Sequence, residues 1–544
     1  MESLREYAIG PCSLFVEDVI IPHLARTLAR PVKWIEDRYE NLAASGHAKE
    51  LVCYLEAAVK NDGTLLAFRG RYVGDGGAYQ CHPWTCLIDT LCAATILPGT
   101  YAIEAVRYEV DQAVTNKCPG SAYRGVGWTS GNTARESLID DIARGLEMDP
   151  VELRIRNTIP EAPYVTLTGF EYDGGSYVQS QRKAMELVEY EDFRERQRRA
   201  QEEGRYLGIG FSVFVEQGAW TAAMVKVNGF GESGFLDSVD VTMEPDGSVT
   251  VTTGLHSHGQ SHETTFAQLA ADVLGVRLES VRIVQGDTAG VAYSHGTYGS
   301  RSAVIGGGAI LRAAGEVRDK LLKVAAHTLE VSEEDIDLYD GRATVRGAPA
   351  RSLSVAELTA KAYFGADRPP DLEPALTSTR SYDPPQTFSN ACIAAVVEVD
   401  VGTGLVDVQR MAIVEDCGTI MNPMVVEGQI AGAIAQAIGV ALYEELPYDE
   451  DGQLLAGSLM DYLYPSTMEV PPMAMAHIET PSPVTEGGFK GMGEGGLVGG
   501  PAAIVNAVAD ALSPLGVTIE ETPLTPSRVL GLIEAARTRT SSGV

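Results

Sequence analysis

Glu494 is the lone carboxylate of a glycine-crowded run, Lys490-Gly491-Met492-Gly493-Glu494-Gly495-Gly496, which leads to Pro501 and an Ala/Val-rich stretch ending at Asp510. Glycines on both sides let the backbone adopt φ > 0 and let a bulky ligand approach the main chain. A carboxylate in such a loop is either a solvated surface group or, once a low-dielectric site raises its pKa, a general base. His256, His258 and His262 form an H-x-H-x-x-x-H pattern that could offer a metal three imidazoles. No carboxylate accompanies them at the spacing of an H-E-x-x-H zinc motif. Tyr298-Gly299-Ser300-Arg301-Ser302 stands ahead of a helical pattern. It is either an anion site, with N–H groups, hydroxyls and a guanidinium at a positive helix end, or an ordinary N-cap beside a surface Arg.

These groups need elements to hold them. Helical spacing of Phe266, Leu269, Ala270, Val273 and Leu274 predicts a helix starting after Ser261 and ending at Gly275. A second helix is expected from about Ser302 to His327 and a third from Pro501 to Leu512, with Pro501 in its first turn. Three turn signals, Asn61-Asp62-Gly63, Pro245-Asp246-Gly247 and Gly402-Thr403-Gly404, lie between Val-, Thr- or Leu-rich runs and predict hairpins. The charged stretch from Glu189 to Arg205 reads as a solvated helix with i,i+4 pairs that joins two lobes. Strands and helices mix without regular βαβ alternation, so the fold class is α+β, not a doubly wound sheet.

Composition narrows the function classes. A chain of 544 residues can hold more than one domain around a large core. Its net charge of −32 disfavours nucleic acid and anionic membranes as partners. The first residues, with Glu2, Arg5 and Glu6, show no apolar run like a secretory signal, and Ile430–Leu442 is too short and Gln-broken to span a bilayer. The eight cysteines, at 12, 53, 81, 86, 92, 118, 392 and 417, make no C-x-x-C pair. Neither a zinc site nor an iron–sulfur cluster is indicated; buried free thiols in a reducing cytoplasm are expected.

The segment Gly488-Phe-Lys-Gly-Met-Gly-Glu-Gly-Gly496, followed by Pro501-Ala-Ala-Ile-Val-Asn-Ala507, resembles the C-terminal signature of the xanthine oxidase family. More narrowly it resembles the molybdenum-binding large subunit of the carbon monoxide dehydrogenase and aldehyde oxidase type. Further matches follow in order: Arg30-Pro-Val-Lys-Trp34, Ala122-Tyr123-Arg124-Gly125, Gly259-Gln260-Ser261, Gly286-Asp287-Thr288, Gly296–Ser302, Asp416-Cys417-Gly418, Asn422-Pro423 and Glu427-Gly428-Gln429. The resemblance implies a two-lobed molybdenum cofactor-binding domain, divided here as residues 1–200 and 205–544. It implies that Glu494 is the active-site base. It also implies that Gln260, Tyr298, Gly299, Ser300, Arg301, Gln429 and Met492 lie against a molybdopterin, of which the cytosine dinucleotide form is one variant. Gln260 and Gln429 carry the amide donors and acceptors that suit a pterin edge. Arg124 and Val126 face the substrate, and His258 stands where the family has Gln.

The chemistry so implied is hydroxylation of an aldehyde or N-heteroaromatic substrate with water as oxygen source. Electrons leave for 2Fe-2S clusters and FAD; as this chain has no cluster-type cysteine pattern, an iron–sulfur small subunit and an FAD-binding medium subunit are expected partners, in the cytoplasm. The carbon monoxide enzymes carry a copper-binding Cys where this chain has Gly125, which disfavours carbon monoxide. The xanthine-type enzymes carry a stacking Phe where it has Val126; Trp128 either compensates or packs. Family large subunits also carry an N-terminal region with a Gly-Gly-Phe-Gly loop. Ala8–Leu14 resembles only that loop's trailing edge. A separate polypeptide would supply the rest, or the chain is a truncated, non-catalytic remnant or assembly component. Ser261, where the family prefers Gly, crowds the cofactor loop.

Overall fold

The computed structural model describes residues 15–79, 87–231, 234–291 and 293–542; the expectations placed on segment 8–14 and on Cys12, Cys81 and Cys86 lie outside them. The architecture is α+β. At its centre is a four-stranded sheet with Tyr206–Gln217, Phe388–Val399, Val406–Asp416 and Met473–His477 as successive neighbours. The first three strands pair antiparallel and the last joins parallel. Tyr206–Gln217 and Phe388–Val399 are buried along nearly their whole length, because both sheet faces are covered. One face packs Phe214, Ile393, Met411 and Ile413 against the helices Pro423–Leu442 and Gly495–Leu512. The other packs Phe211, Val213, Cys392 and Val414 with Ile139, Phe193 and Phe68, so one core joins residues on both sides of the charged 190–202 helix. A second four-stranded sheet (Thr377–Tyr382, Asp237–Met243, Val249–Thr253, Val281–Gln285) builds its own core with the helices His262–Leu274 and Gly307–Leu329.

All three expected hairpins form. The helix after Ser261 spans His262–Leu274 and stops at Gly275 in the left-handed conformation. The one expected from Ser302 opens with a π-helical turn, Ser302–Gly306, and continues to Leu329. Two expectations need correction. Pro501 does not open its helix, which begins at Gly495 with Glu494 as N-cap. Packing, not propensity, forms those first turns: a Cβ on Gly499 would lie 2.4 Å from Phe214, and one on Gly500 2.4 Å from the Ala437 side chain. Pro501 then sits inside, at the loss of one helical hydrogen bond. The charged helix, Tyr190–Glu202, is not solvated all round. It buries Tyr190, Phe193 and Ala200, and Arg194 pairs with Asp510 at 2.9 Å. Pro423–Leu442 and Gly495–Leu515 are long and apolar enough to cross a membrane, but the most apolar window of the second is 94% buried inside the fold.

A buried ionic knot fixes the helix Val126–Gly145 beneath the central sheet. Glu136 accepts from Arg154 at 2.9 Å, from Arg135 at 3.2 Å and from the Tyr101 hydroxyl at 2.9 Å, while Arg154 also reaches Asp140 at 2.6 Å. The Glu136 carboxylate further accepts from the Val213 amide at 3.2 Å, tying knot to sheet. Removing one partner of such a set leaves opposite charges buried and unpaired. Arg154→Leu is therefore expected to lower stability by roughly 3–5 kcal/mol in denaturant unfolding. A loss below about 1 kcal/mol, the range of exposed pairs, would contradict this role.

Candidate active site

Lys490–Gly493 is a buried strap, not a flexible loop. The Gly491 amide donates to Gly218 O at 2.9 Å, the Lys490 amide to Cys417 O at 3.0 Å, and Lys490 Nζ to Gly174 O at 2.9 Å. A Cβ on Gly491 would sit 1.7 Å from the Ser300 carbonyl oxygen, so only glycine lets the strap pass there. The strap ends at Glu494 and lines a cleft of about 1620 Å³ of empty space, open solvent included. The alternative of a solvated Glu494 is thereby set aside: its Oε2 is buried without a hydrogen-bond partner. Burial pushes its carboxyl pKa up, opposed by the Gly125 amide and by the charges of Arg124 and Lys49.

Glu216, next to last in its strand, is the closest companion. Its Oε1 accepts from the Glu494 amide at 3.1 Å and from the Ser300 hydroxyl, and its Oε2 is buried and unpartnered. Burial, then the Glu494 charge, pushes its pKa up to about 8. No motif marked Glu216 in the sequence; only its place in an otherwise apolar strand could have signalled it.

The remaining expected residues converge on the same cleft. Arg124, Val126, Gln260, Tyr298, Gly299, Ser300, Arg301, Gln429 and Met492 all line it. Arg124 Nε donates to Gly493 O at 2.7 Å, Nη1 to Gln436 Oε1 and Nη2 to Gln429 Oε1, both at 2.9 Å. It clamps the Glu494 strap to the helix Pro423–Leu442. Lys49 holds Arg124 in turn: its Nζ donates to Arg124 O at 2.8 Å, Val126 O at 3.1 Å and Thr129 Oγ1 at 3.1 Å, and burial lowers its pKa to about 8. Nothing in the sequence pointed to Lys49. Arg301 is fully buried and ion-paired to Asp237, and it donates to Gly296 O at 2.6 Å and to Phe235 O. With that charge matched internally, the hydroxyls and main chain of its loop are what remain to offer an anion. Ser261 holds φ 65°, ψ 36° ahead of its helix, the left-handed region that costs a non-glycine residue about 1–2 kcal/mol. That is the physical content of a glycine preference there.

Packing bears on two open alternatives. Trp128 is fully buried and stacks on Trp220 at 6.2 Å; Trp220, not Trp128, lines the cleft. His262 spends Nδ1 on Leu255 O at 2.9 Å, stacks on Phe266, and is driven by burial to a pKa of about 4. Among the described residues no three His, Cys, Asp or Glu side chains gather to hold a metal.

The Glu216 carboxyl makes stability fall as pH rises. Folded, it keeps its proton up to about pH 8; unfolded, it gives the proton up near 4.5. Its contribution is complete below pH 4.5 and is lost on the way to 8. Glu216→Gln removes that slope, so the variant should gain on the parent in thermal melts from pH 5 to pH 8. A difference that does not change with pH would contradict a protonated Glu216.

Residues 12–158 and 183–471 match family models described as molybdopterin cofactor-binding domains. The chain is 45% identical to the nicotine 6-hydroxylase large subunit of Paenarthrobacter nicotinovorans over 520 residues, 95% of this chain and 64% of that protein. It is 38% identical to the carbon monoxide dehydrogenase large chain of Hydrogenophaga pseudoflava, across 92% of this chain and 63% of the relative. The chain thus spans less than two thirds of the length of these relatives. The crystal structure of quinoline 2-oxidoreductase from Pseudomonas putida 86 superposes with a TM-score of 0.93 at 45% identity, covering 96% of this chain and 67% of that one. With both of its cofactor-binding domains matched, this chain belongs to the xanthine oxidase family.

Proposed function

We propose that the chain is the catalytic part of a molybdenum hydroxylase that oxidises a small N-heteroaromatic substrate, with Glu494 as general base. The observation that carries this is the buried, unpartnered Oε2 of Glu494 on a cleft that also gathers the cofactor-type loops. The residues fit a molybdopterin. Gly259 and Gly493 leave the space beside their Cα atoms open or loosely filled, and the Gln260 and Gln429 amides bring donors to the same wall. Gln260, Gln429, Met492 and the Tyr298–Arg301 loop would hold it, in the cytosine dinucleotide form where the Ser300 loop takes a phosphate. When bound, the cofactor supplies the two-electron redox change and activates water-derived oxygen.

The protein supplies the rest. Arg124 and Lys49 hold the Glu494 strap in place, and the hydrophobic wall of Val126, Ile88 and Trp220 excludes water from around the base. Glu494 Oε2 would take and hold the proton that the water-derived oxygen gives up. Two relatives at 45% identity are named for nicotine and quinoline, both N-heteroaromatic, which supports that substrate class. Gly125, at φ 78°, offers no thiolate for a second metal, which weighs against carbon monoxide; aldehydes come second to ring substrates. An iron–sulfur small subunit and an FAD-binding medium subunit complete the assembly, in the cytoplasm.

Glu494→Gln is expected to lower turnover of N-heteroaromatic substrates by roughly 10²–10⁴-fold, with molybdenum and pterin content unchanged by elemental analysis and fluorescence. Retained turnover would exclude the base role, and loss of molybdenum would make Glu494 a structural group.

A further inference from the structure

Three buried polar side chains and a half-buried histidine share one face of the central sheet and lead away from the cleft. Residues paired across strands project to the same face, as do alternate residues along one strand. Glu216 pairs with Ser389; two residues back, Phe214 pairs with Ala391, Ala391 with Glu415, and Glu415 with His477. Glu216, Ser389, Glu415 and His477 therefore step diagonally across the sheet, over the small Ala391, beneath the helices that start at Pro423 and Gly495.

None of their inward atoms is satisfied. Glu216 Oε2, Ser389 Oγ, both Glu415 carboxyl oxygens and both His477 ring nitrogens are buried without a hydrogen-bond partner. Orphaned buried polar atoms are costly and are where internal water settles. Six such atoms in one line, inside an otherwise hydrophobic core, mark a polar thread. Its inner end touches the base through the Glu494 amide on Glu216 Oε1 at 3.1 Å. Its outer end reaches solvent: the His477 side chain is 18% exposed, with Nε2 3.8 Å from Glu427 Oε1, and Glu427 is 57% exposed.

We propose that Glu216, Ser389, Glu415 and His477 form the path by which the proton collected at Glu494 leaves for solvent beside Glu427. The inference rests on the reading of Glu494 as the base, and supplies what that reading needs, since a shut-in base must be emptied once per turnover. Each step breaks one O–H or N–H bond and forms another. One proton moves outward, no electron moves, and Glu494 returns to its carboxylate. Because no member hydrogen-bonds the next directly, side-chain rotation or an internal water closes each gap. Burial raises the pKa of both Glu216 and Glu415, so both carry a proton to hand on. Of the other groups facing the thread, Asp416 adds its charge to the effect of burial on Glu415, and the rest leave the thread uncharged or anchor its inner end. Ser300 donates to Glu216, Cys417 stays a thiol because burial raises its pKa, and Arg124 and Lys49 act on Glu494. The members past Glu494 are positioning and transfer groups; none touches substrate.

Glu415→Gln and His477→Ala, in the assembled cofactor-loaded enzyme, test this. The path predicts kcat lowered by about tenfold or more with KM unchanged, a larger solvent deuterium effect on kcat, and recovery of His477→Ala by added imidazole. An independent readout needs no cofactor. The infrared bands of the protonated Glu216 and Glu415 carboxyls should exchange with D2O more slowly in His477→Ala than in the parent. Parental kcat in both variants, or a slowdown without imidazole rescue and with unchanged exchange, would overturn the path. Turnover by Glu494→Gln would remove the base reading and the path with it; an inactive Glu494→Gln beside fully active Glu415→Gln and His477→Ala would remove the path alone.

Discussion

Gly208 and Gly210 bring the strand Tyr206–Gln217 into direct backbone contact with the helix Gly495–Leu512, and the rest of the site depends on that approach. A Cβ on Gly208 would lie 2.0 Å from Ala507 O, and one on Gly210 2.2 Å from Ala507 N. No side chain fits between. The far end of the helix is pinned as well: Asp510 accepts from the Ile209 amide at 2.9 Å and pairs with Arg194. With strand and helix locked at this spacing, their cleft-side ends, Glu216 and Glu494, must meet. The reactive geometry is a product of core packing, and the glycine strap only closes it.

Bringing two carboxyls together in a low-dielectric core is unfavourable unless one stays protonated. The fold meets this by dividing the roles. Glu216 sits among apolar strand residues and keeps its proton to about pH 8, while Glu494 faces Arg124, Lys49 and the Gly125 amide, which favour its charged form. A carboxyl whose neighbours oppose the effect of burial, set beside one that keeps its proton, is an arrangement suited to taking up a proton and passing it on. The same division explains why Lys49 is buried without a direct carboxylate partner on Nζ. Its three hydrogen bonds fix the Arg124 turn, and its charge acts at a distance on Glu494.

Much of this was legible in the sequence. Turn chemistry placed all three hairpins, and the spacing of Phe266, Ala270 and Leu274 placed a helix to within one residue. The motif residues from Arg124 to Glu494 were gathered by resemblance, and the fold brings them to one cleft. What stayed hidden has a common cause. Lys49, Glu216, Glu415 and Trp220 act through contacts with residues far away in the chain, and no local pattern encodes those. Pro501 misled because tertiary packing of Gly499 and Gly500 overrode the preference of proline for a first turn. The sequence left Arg301 open between an anion contact and a surface cation because its partner, Asp237, lies 64 residues before it in an unremarked strand.

On the function proposed above, this cleft binds a molybdenum cofactor beside Glu494. Molybdenum per chain, measured by elemental analysis on folded protein made with an active cofactor supply and its partner subunits, tests it most directly. Near-stoichiometric metal is expected. A folded, assembled chain that carries none would contradict it and leave Glu494 a base without a reaction.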